Sequence, residues 1–582
     1  MAKITINDKE IEVENGTTIL DAAKMLNIPI PTLCHLNLHK AGMVNDCASC
    51  RVCVVEVEGR RNLVPSCSTK VVEGMNIKTN TKRAVKSRRT MVELILSDHP
   101  HDCLICSKSG KCELQKLASD LPIRNIKYTG KKAKRPLDIS SLSLVRDLDK
   151  CILCGRCETM CNSIQTVGVY SKTHRGFNTV MTTAFDNPIV ESPCTFCGQC
   201  VSVCPTGALT QVDNTKEVWE SINDPEKIVI VQTAPAIRAA LGEMFDMEPG
   251  TNVTGKMVTA LRKIGFDKVF DTDFAADLTV VEETKEFLDR VQNGGKLPIL
   301  TSCCPAWVNF IEFYYPDLLD IPSSCKSPHE MFGAIAKTYL AKKLNIDSKN
   351  MVVVSVMPCL AKKYEAARSE LSENDLKNVD YVITTRELSR MIREAGLDFS
   401  TLEDEKFDEL MGESSGASVI FGATGGVIEA VVRNASYLLS NEKLPKIDFK
   451  ELRGMEGFRE AVVNVAGNEL KIAIANGLGN ARALLEKVKN KEVHYDAIEI
   501  MACPGGCIGG GGQPSYLNQD EELLSRRAAA LYQEDLNNEL RISSLNPEIQ
   551  KLYKEFLGEP GGELAHKLLH THYHKREVDT DN

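Results

Sequence analysis

The chain has 582 residues, room for about four domains of about 150 residues each, which argues against a single-module protein. Apolar residues at 43% and charged residues at 26% exclude wholesale disorder, and 70 Lys plus Arg against 79 Asp plus Glu, net charge -9, leave no basic field for nucleic acid or an anionic membrane surface. No run of about 18 uncharged apolar residues occurs, and the start carries neither a signal-peptide core nor a twin-arginine signal, so a cytoplasmic location is expected.

Ile4, Ile6, Ile11 and Val13 alternate as a short hairpin, residues 14 to 16 form a loop, and an amphipathic helix is expected around Thr18 to Leu26. A second alternation through Val52, Val54, Glu56 and Glu58 runs into a turn at Gly59. Residues 84 to 97 read as a helix that stops before His99-Pro100, and 128 to 137 as a basic linker. Beyond Cys204, short apolar runs at 228–231, 298–300, 352–356, 382–383, 419–421 and 497–500 alternate with long helical segments. This is α/β patterning with buried, parallel strands.

The chain holds 22 cysteines, and in a reducing compartment so many thiols point to metal or redox chemistry rather than to disulfides. Cys34, Cys50, Cys53 and Cys67 have a tight pair running into a strand, which suits a plant-type 2Fe-2S site with a stretched first loop; structural zinc uses the same ligands. Cys47 competes for one place. His99, Cys103, Cys106 and Cys112 supply one imidazole and three thiolates, enough for a 4Fe-4S cube or a zinc knuckle, with His101 as an alternative imidazole. The strongest local pattern is Cys151, Cys154, Cys157, Cys161 followed by Cys194, Cys197, Cys200, Cys204-Pro205, a bacterial two-cluster ferredoxin run. In such runs the fourth Cys serves the other cluster, so Cys151, Cys154, Cys157 and Cys204 form one cubane set, and Cys194, Cys197, Cys200 and Cys161 the second. Asn162 stands where the first run usually has Pro.

Three later motifs each follow an apolar strand: Thr301-Ser-Cys-Cys-Pro-Ala-Trp307, Met357-Pro-Cys-Leu-Ala-Lys362 and Met501-Ala-Cys-Pro-Gly-Gly-Cys507. Cysteines at the carboxyl ends of strands in an α/β sheet converge on one crevice. Adjacent side chains of an extended segment point apart, so of Cys303 and Cys304 one ligates and the other stays a thiol. Cys304, Cys359, Cys503 and Cys507 then make one more cubane set, and Gly505, Gly506 and Gly509 to Gly512 let backbone wrap closely around a bulky inorganic group. Gly250, Gly255 and Lys256 mimic a phosphate-binding loop, but Met257 stands where a Ser or Thr is needed.

The stretch from Cys50 to Gly59 resembles the 2Fe-2S domain of the complex I large electron-transfer subunit and of iron-iron (FeFe) hydrogenases, a resemblance that leaves Cys47 spare and favours His99 over His101. The three later motifs resemble the signature motifs of the FeFe hydrogenase catalytic domain, and Arg527 to Tyr573 resembles that family's small-subunit segment. The resemblance implies a multidomain α+β and α/β chain: a β-grasp 2Fe-2S domain at 1–80, a 4Fe-4S domain with one histidine and three cysteine ligands at 81–138 and a two-cluster ferredoxin domain at 139–215. A two-lobed catalytic domain at 225–520 and a helical tail at 521–582 complete it. It implies an H-cluster, the 4Fe-4S group joined through Cys507 to a two-iron subsite with carbon monoxide, cyanide and a bridging dithiolate amine, beside one 2Fe-2S and three accessory 4Fe-4S clusters. Met357 and Met501 would pack against the subsite, Lys362 would pair with one cyanide, and backbone at Pro235 and Ala236 would hold the other, without the serine hydroxyl some members have at Ala236.

The same resemblance makes Cys303 the first proton carrier, followed by Glu283, Ser323, Glu286 and Arg290; a thiol of ordinary pKa near 8.5 can exchange protons close to neutrality. The implied activity is reversible oxidation of hydrogen, with electrons leaving through the clusters to ferredoxin or to an NADH-dehydrogenase-like flavoprotein in a multimeric, bifurcating complex. The competing functions are an electron-transfer subunit of a complex-I-like enzyme or formate dehydrogenase, which should lack the three later motifs, and a non-catalytic hydrogen sensor or iron-sulfur assembly protein, against which Cys303 and Lys362 argue. Cys47 and Cys325 remain as thiols without assigned ligand roles, and His566, His570, His572 and His574 as packing or surface residues.

Overall fold

A computed structural model describes the chain except residues 39–42, 46–47, 131, 374–375, 441–447, 516–521 and 578–582, so Cys47 lies outside the described residues. Residues 1–163, 168–192 and 203–210 form one unit, and 164–167, 193–202 and 211–582 a second.

In the first unit the expected hairpin forms between Ala2–Ile6 and Lys9–Val13, turning through Asn7 and Asp8, both at positive φ. Ala2–Ile6 also pairs in parallel with Asn76–Lys78, which neighbours Val54–Val57, the observed form of the second alternation. Helix Ile19–Met25 starts at Thr18, whose Oγ1 accepts the Asp21 amide at 3.1 Å, and it lays Ile19, Ala22 and Ala23 on a core with Ile4, Ile6, Val55 and Ile77. A five-stranded sheet under one helix is the β-grasp arrangement the sequence predicts. Helix Lys82–Asp98 follows, and Arg88 on its buried face donates to the Val54 carbonyl at 2.8 Å.

One side chain ties together three cysteine-bearing loops of this unit. Arg156, between Cys154 and Cys157, is 1% exposed and grips Glu113, the neighbour of Cys112, bidentately at 2.7 and 2.9 Å. Its Nη2 also donates to the carbonyl of His35, the neighbour of Cys34, at 3.0 Å. Asn45 adds a second tie, donating to the carbonyls of Cys34 at 2.7 Å and Cys154 at 3.2 Å. Guanidinium suits this place because its fork meets a carboxylate and still has donors left for carbonyls.

The second unit contains two four-stranded sheets. The first runs in the order Lys268–Asp271, Ile228–Thr233, Met351–Met357, Tyr381–Thr384, all parallel. Its strand order reverses between Ile228–Thr233 and Met351–Met357, the place where a crevice opens beyond the carboxyl ends of such strands. Met351–Met357 is buried at every residue, as a strand covered on both faces must be. In the second sheet Ile299–Leu300, Ala497–Met501 and Asn468–Asn476 are parallel neighbours, and Phe458–Val465 closes the edge antiparallel. Five of the six expected apolar strands are present. The sixth is not: Val419–Phe421 lies in a helical segment, Gly416–Val419 continuing as a 3-10 turn through Gly422. A three-residue apolar run is as compatible with a buried helix as with a strand, and here Ser415, extended before the first turn, starts a helix that is buried all round. The tail is helical as expected, with Leu523–Asn537, Pro547–Leu552 and Glu563–Leu569. Among the described residues no helix is long and apolar enough to cross a membrane.

Replacing Arg156 by Met should lower the stability of the first unit by about 2 to 3 kcal/mol, since charged hydrogen bonds are lost while part of the Glu113 carboxylate stays solvated. Urea titration followed by loss of cluster absorbance measures this, and an unchanged midpoint refutes the role given to Arg156.

Candidate iron-sulfur sites and active-site cavity

The first unit carries the cysteines of the N-terminal motifs. Cys34, Cys53 and Cys67 are buried, and Cys50 is hydrogen-bonded to Cys34 as Cys53 is to Cys67, the bond with Cys67 holding the Cys53 thiol below its ordinary range. His99 is 9% exposed; its Nδ1 donates to the Pro100 carbonyl at 2.8 Å, which leaves the lone pair on a buried Nε2 that has no partner. Desolvation lowers its pKa, so the ring is a neutral donor, as a metal ligand must be. His101 instead is exposed, with Nε2 bonded to the Leu96 carbonyl at 2.9 Å. Burial raises the Cys112 thiol, and the charges of Cys106 and Cys103 nearby add to the rise. Cys151, Cys154, Cys157 and Cys204 line a single cavity. Cys161 is buried within a π-helical turn, Thr159–Ile164, where Asn162 takes the place of the usual Pro and donates to the Tyr170 carbonyl at 2.7 Å.

Cys194, Cys197 and Cys200 belong to the second unit, where their segment packs on the glycine-rich loop after Cys503. Gln199 donates to the Gly509 carbonyl at 3.0 Å, and a Cβ on Gly511 would stand 2.7 Å from the Cys197 carbonyl oxygen, which only glycine avoids.

Cys303, Cys304, Cys359, Cys503 and Cys507 all line one cavity, at the carboxyl ends of strands from both sheets. Cys304 caps helix Pro305–Tyr314, and its Sγ accepts the Ala502 amide at 3.5 Å, so the first and third motifs touch. Pro235, Ala236, Met357 and Met501 line the same cavity, with the Ala236 carbonyl fixed by Gln513 Nε2 at 2.9 Å. Gly506, at φ +96°, would place a Cβ 2.7 Å from the Thr424 amide. Burial raises the thiols of Cys304, Cys359 and Cys503, and that of Cys507 to about 12. A convergent set of thiols in apolar walls, with no room for added side chains, fits a large metal-sulfur group bound as thiolates.

Lys362 is buried rather than a surface lysine at a helix start. Its Nζ donates to Glu365 at 2.7 Å and to the Cys303 carbonyl at 3.1 Å. Desolvation opposes its charge, but the Glu365 carboxylate and the nearby thiols outweigh this and hold its pKa above the ordinary value. Glu365 in turn accepts from His329 Nε2 at 2.8 Å, and His329, desolvated and beside Lys362, falls to about 4 and stays neutral. Sequence reasoning missed both partners; Glu365 had a signal in its i,i+3 spacing from Lys362, and His329 had none.

The helix Thr272–Gln292 carries Glu283, Glu286 and Arg290. Glu283 is 3% exposed, and desolvation, reinforced by the charges of Glu286 and Glu499, pushes its carboxyl up to about 8 against the lowering influence of Arg290 and a Ser323 hydrogen bond. Ser323 Oγ donates to Glu286 at 2.9 Å, and Arg290 pairs with Glu286 at 2.5 Å while donating to the carbonyls of Ile321 and Pro322. Cys303 packs against an apolar cluster that includes Ala276, Val280 and Met501, within range of the Glu283 charge. The ordinary thiol pKa assumed from the sequence does not hold there: desolvation raises the Cys303 pKa well above it, so the group rests as a thiol.

Loops with cluster-binding cysteine spacings in one unit and a thiol-lined α/β crevice in the other define an iron-sulfur oxidoreductase. Residues 227–511 match the iron only hydrogenase large subunit, C-terminal domain, and 521–576 the iron hydrogenase small subunit. Residues 1–82 match a 2Fe-2S iron-sulfur cluster binding domain, 88–127 the NADH-ubiquinone oxidoreductase-G iron-sulfur binding region, and 150–208 a 4Fe-4S dicluster domain. The chain is 57% identical over 583 residues to the NADP-reducing hydrogenase subunit HndD of Solidesulfovibrio fructosivorans, covering 99% of each. It is 40% identical to iron hydrogenase 1 of Clostridium pasteurianum over 579 residues, 99% of this chain and 100% of that one. A solved structure of a variant of the FeFe-hydrogenase HydA1 from Chlamydomonas reinhardtii is similar with a TM-score of 0.57 and 40% identity, over 62% of this chain and 99% of that one. The chain belongs to the iron-only (FeFe) hydrogenase family: it is a hydrogenase with an H-cluster domain behind 2Fe-2S and 4Fe-4S domains.

The pKa of Glu283 fixes a pH dependence. A carboxyl near 8 when folded and about 4.3 when unfolded contributes stability in full below about 4.3, and loses it as pH rises through about 8. Glu283→Gln, neutral throughout, should therefore gain on the wild type between about pH 5 and pH 9 in thermal unfolding; parallel pH profiles refute the assignment.

Proposed function

We propose that this hydrogenase oxidises hydrogen reversibly with the following division of labour. Cys304, Cys359, Cys503 and Cys507 hold the cubane of the H-cluster, and Pro235, Ala236, Met357, Met501 and Lys362 seat its two-iron subsite. When bound, that subsite supplies an open metal site and a basic amine that together split hydrogen heterolytically. Lys362 offers a compact buried charge to an anionic ligand, and Glu365 with His329 keeps the ammonium aimed.

Cys303 passes its own thiol proton to the Glu283 carboxylate as its Sγ takes up a proton from the cavity side, so the sulfur never holds two protons. A carboxyl near 8 exchanges protons close to neutral pH, which is where a general acid-base group works best. Ser323 Oγ passes it to Glu286, and Arg290 pins Glu286 at the end of the row. The observation that carries this reading is the succession of buried titratable groups starting at the cavity wall. Cys303→Ser should retain the infrared bands of metal-bound carbon monoxide and cyanide in the matured protein and lower turnover by about 100-fold or more. Undiminished turnover removes Cys303 from the relay.

Electrons leave through one 2Fe-2S cluster (Cys34, Cys50, Cys53, Cys67) and three 4Fe-4S clusters. These take His99 with Cys103, Cys106 and Cys112; Cys151, Cys154, Cys157 and Cys204; and Cys161, Cys194, Cys197 and Cys200. The region like the NADH-ubiquinone oxidoreductase-G subunit and the likeness to an NADP-reducing hydrogenase subunit favour a flavoprotein partner that reduces NAD(P). Ferredoxin as a second acceptor and a cytoplasmic location are expectations from the sequence alone. Native isolation followed by size exclusion should bring a flavin-bearing subunit with the hydrogenase; a flavin-free monomer that turns over with ferredoxin alone overturns the complex.

A further inference from the structure

Glu286, Cys325 and His570 offer a carboxylate oxygen, a thiol sulfur and an imidazole nitrogen that all lie within 4.8 Å of one another. They come from the Thr272–Gln292 helix, the loop after Pro322 and the C-terminal tail. Cys325 and His570 face each other across an antiparallel bridge, closed by Lys326 donating to the Leu569 carbonyl and Thr571 to the Ser324 carbonyl, each at 2.8 Å, so backbone sets their spacing. Cys325 Sγ stands 4.0 Å from Glu286 Oε2. His570 Nε2 lies 3.0 Å from Glu282, and in the tautomer that donates there Nδ1 accepts from Ser324 Oγ, a hydrogen bond that an incoming metal displaces. Nδ1 stands 2.8 Å from Ser324 Oγ, whose neighbour in turn is Glu286 at 3.2 Å. This is the carboxylate-imidazole support that orients metal-binding histidines. A tetrahedral zinc spaces sulfur, nitrogen and oxygen ligands about 3.3 to 3.6 Å apart, so closure needs side-chain shifts on the order of 1 Å. One soft, one intermediate and one hard donor suit zinc or cadmium and not magnesium or calcium, and the carboxyls of Glu282, Glu283 and Glu286 all bear on the Cys325 sulfur.

We propose that Glu286, Cys325 and His570 form a site for a thiophilic divalent cation of the zinc class, and that its occupancy stops proton exit. On binding, Cys325 releases its thiol proton to solvent and the thiolate, the Nδ1 lone pair and the Glu286 carboxylate take the metal; no electron moves. Glu286 can then no longer accept a proton from Ser323. The block rests on Glu286 acting in the relay, while the site itself does not.

The test uses matured holoenzyme titrated with zinc chloride and gel-filtered. Wild-type protein should retain one more zinc than Cys325→Ala, with a sulfur ligand in its X-ray absorption, and lose turnover about 100-fold until a chelator is added. Cys325→Ala should keep basal turnover and ignore zinc. His570→Gln gives the same comparison should the alanine variant fail to fold. Equal zinc content in wild type and both variants overturns the site. Zinc held by Cys325 with turnover intact overturns the block and takes Glu286 out of the relay.

Discussion

Thiolate is the form in which cysteine binds iron, and the cavity walls oppose it. Burial raises Cys304, Cys359, Cys503 and Cys507 together, and the last three are raised further by the charges of others in the set. Without a compensating cation the four groups are neutral thiols held close for no energetic gain, so the metal-sulfur group is what converts the arrangement from strained to favourable. The polypeptide prepares for it with geometry rather than charge. Strand ends from two sheets fix three loops, Gly506 and Gly511 allow backbone to pack where a Cβ would collide, and Lys362 is the one Lys or Arg among the described residues lining the cavity. That lysine is itself tolerable only because Glu365 faces it.

This explains why so much of the site is legible in the sequence. A cluster needs thiolates, thiolates need loops at strand ends, and both leave a pattern: the strands before Cys303, Cys359 and Cys503 are apolar because they are buried on both faces. Cys151, Cys154, Cys157 and Cys204, grouped together by the spacing of the ferredoxin runs, meet around one cavity. What the pattern does not reach is packing that depends on three-dimensional neighbours. Phe421 lines the cavity from a buried helical segment that local apolarity cannot tell from a strand. His329 supports Glu365 from a distant helix, with no periodicity to mark it. The alternation expected at 52 to 58 survives as Val54–Val57, since period-two patterning is a local property.

The tail shows the same division. Its resemblance to a small-subunit segment is readable, but its role in the fold is not. Arg527 is fully buried and grips Glu243 at 2.6 and 2.7 Å while donating to the Ile508 carbonyl beside Cys507. Asp535 accepts from both Arg433 and Arg541. Tyr573 donates to the Ser323 carbonyl at 2.7 Å, and His570 reaches Ser324, so the tail supports the loop that carries Ser323. His570, which reads as a packing or surface residue in sequence, is thereby buried beside Glu282 and Glu286.

Excluding water and exporting protons are opposed demands, and the Thr272–Gln292 helix reconciles them along its own length. In its first turns Ala276 and Val280 belong to the apolar cluster on which Cys303 packs, although Asp273 and Asp277 are buried on the same helix. One turn further, Glu283 is still buried but is a carboxyl whose proton is loosely enough held, near 8, to move at neutral pH. Another turn on, Glu286 is pinned by Arg290 and half-buried, where a charged carboxylate is tolerated. Polarity rises with distance from the cavity, in steps of three and four residues on one helix face. A proton moving along the proposed relay would thus meet progressively better-solvated acceptors within little more than two helical turns.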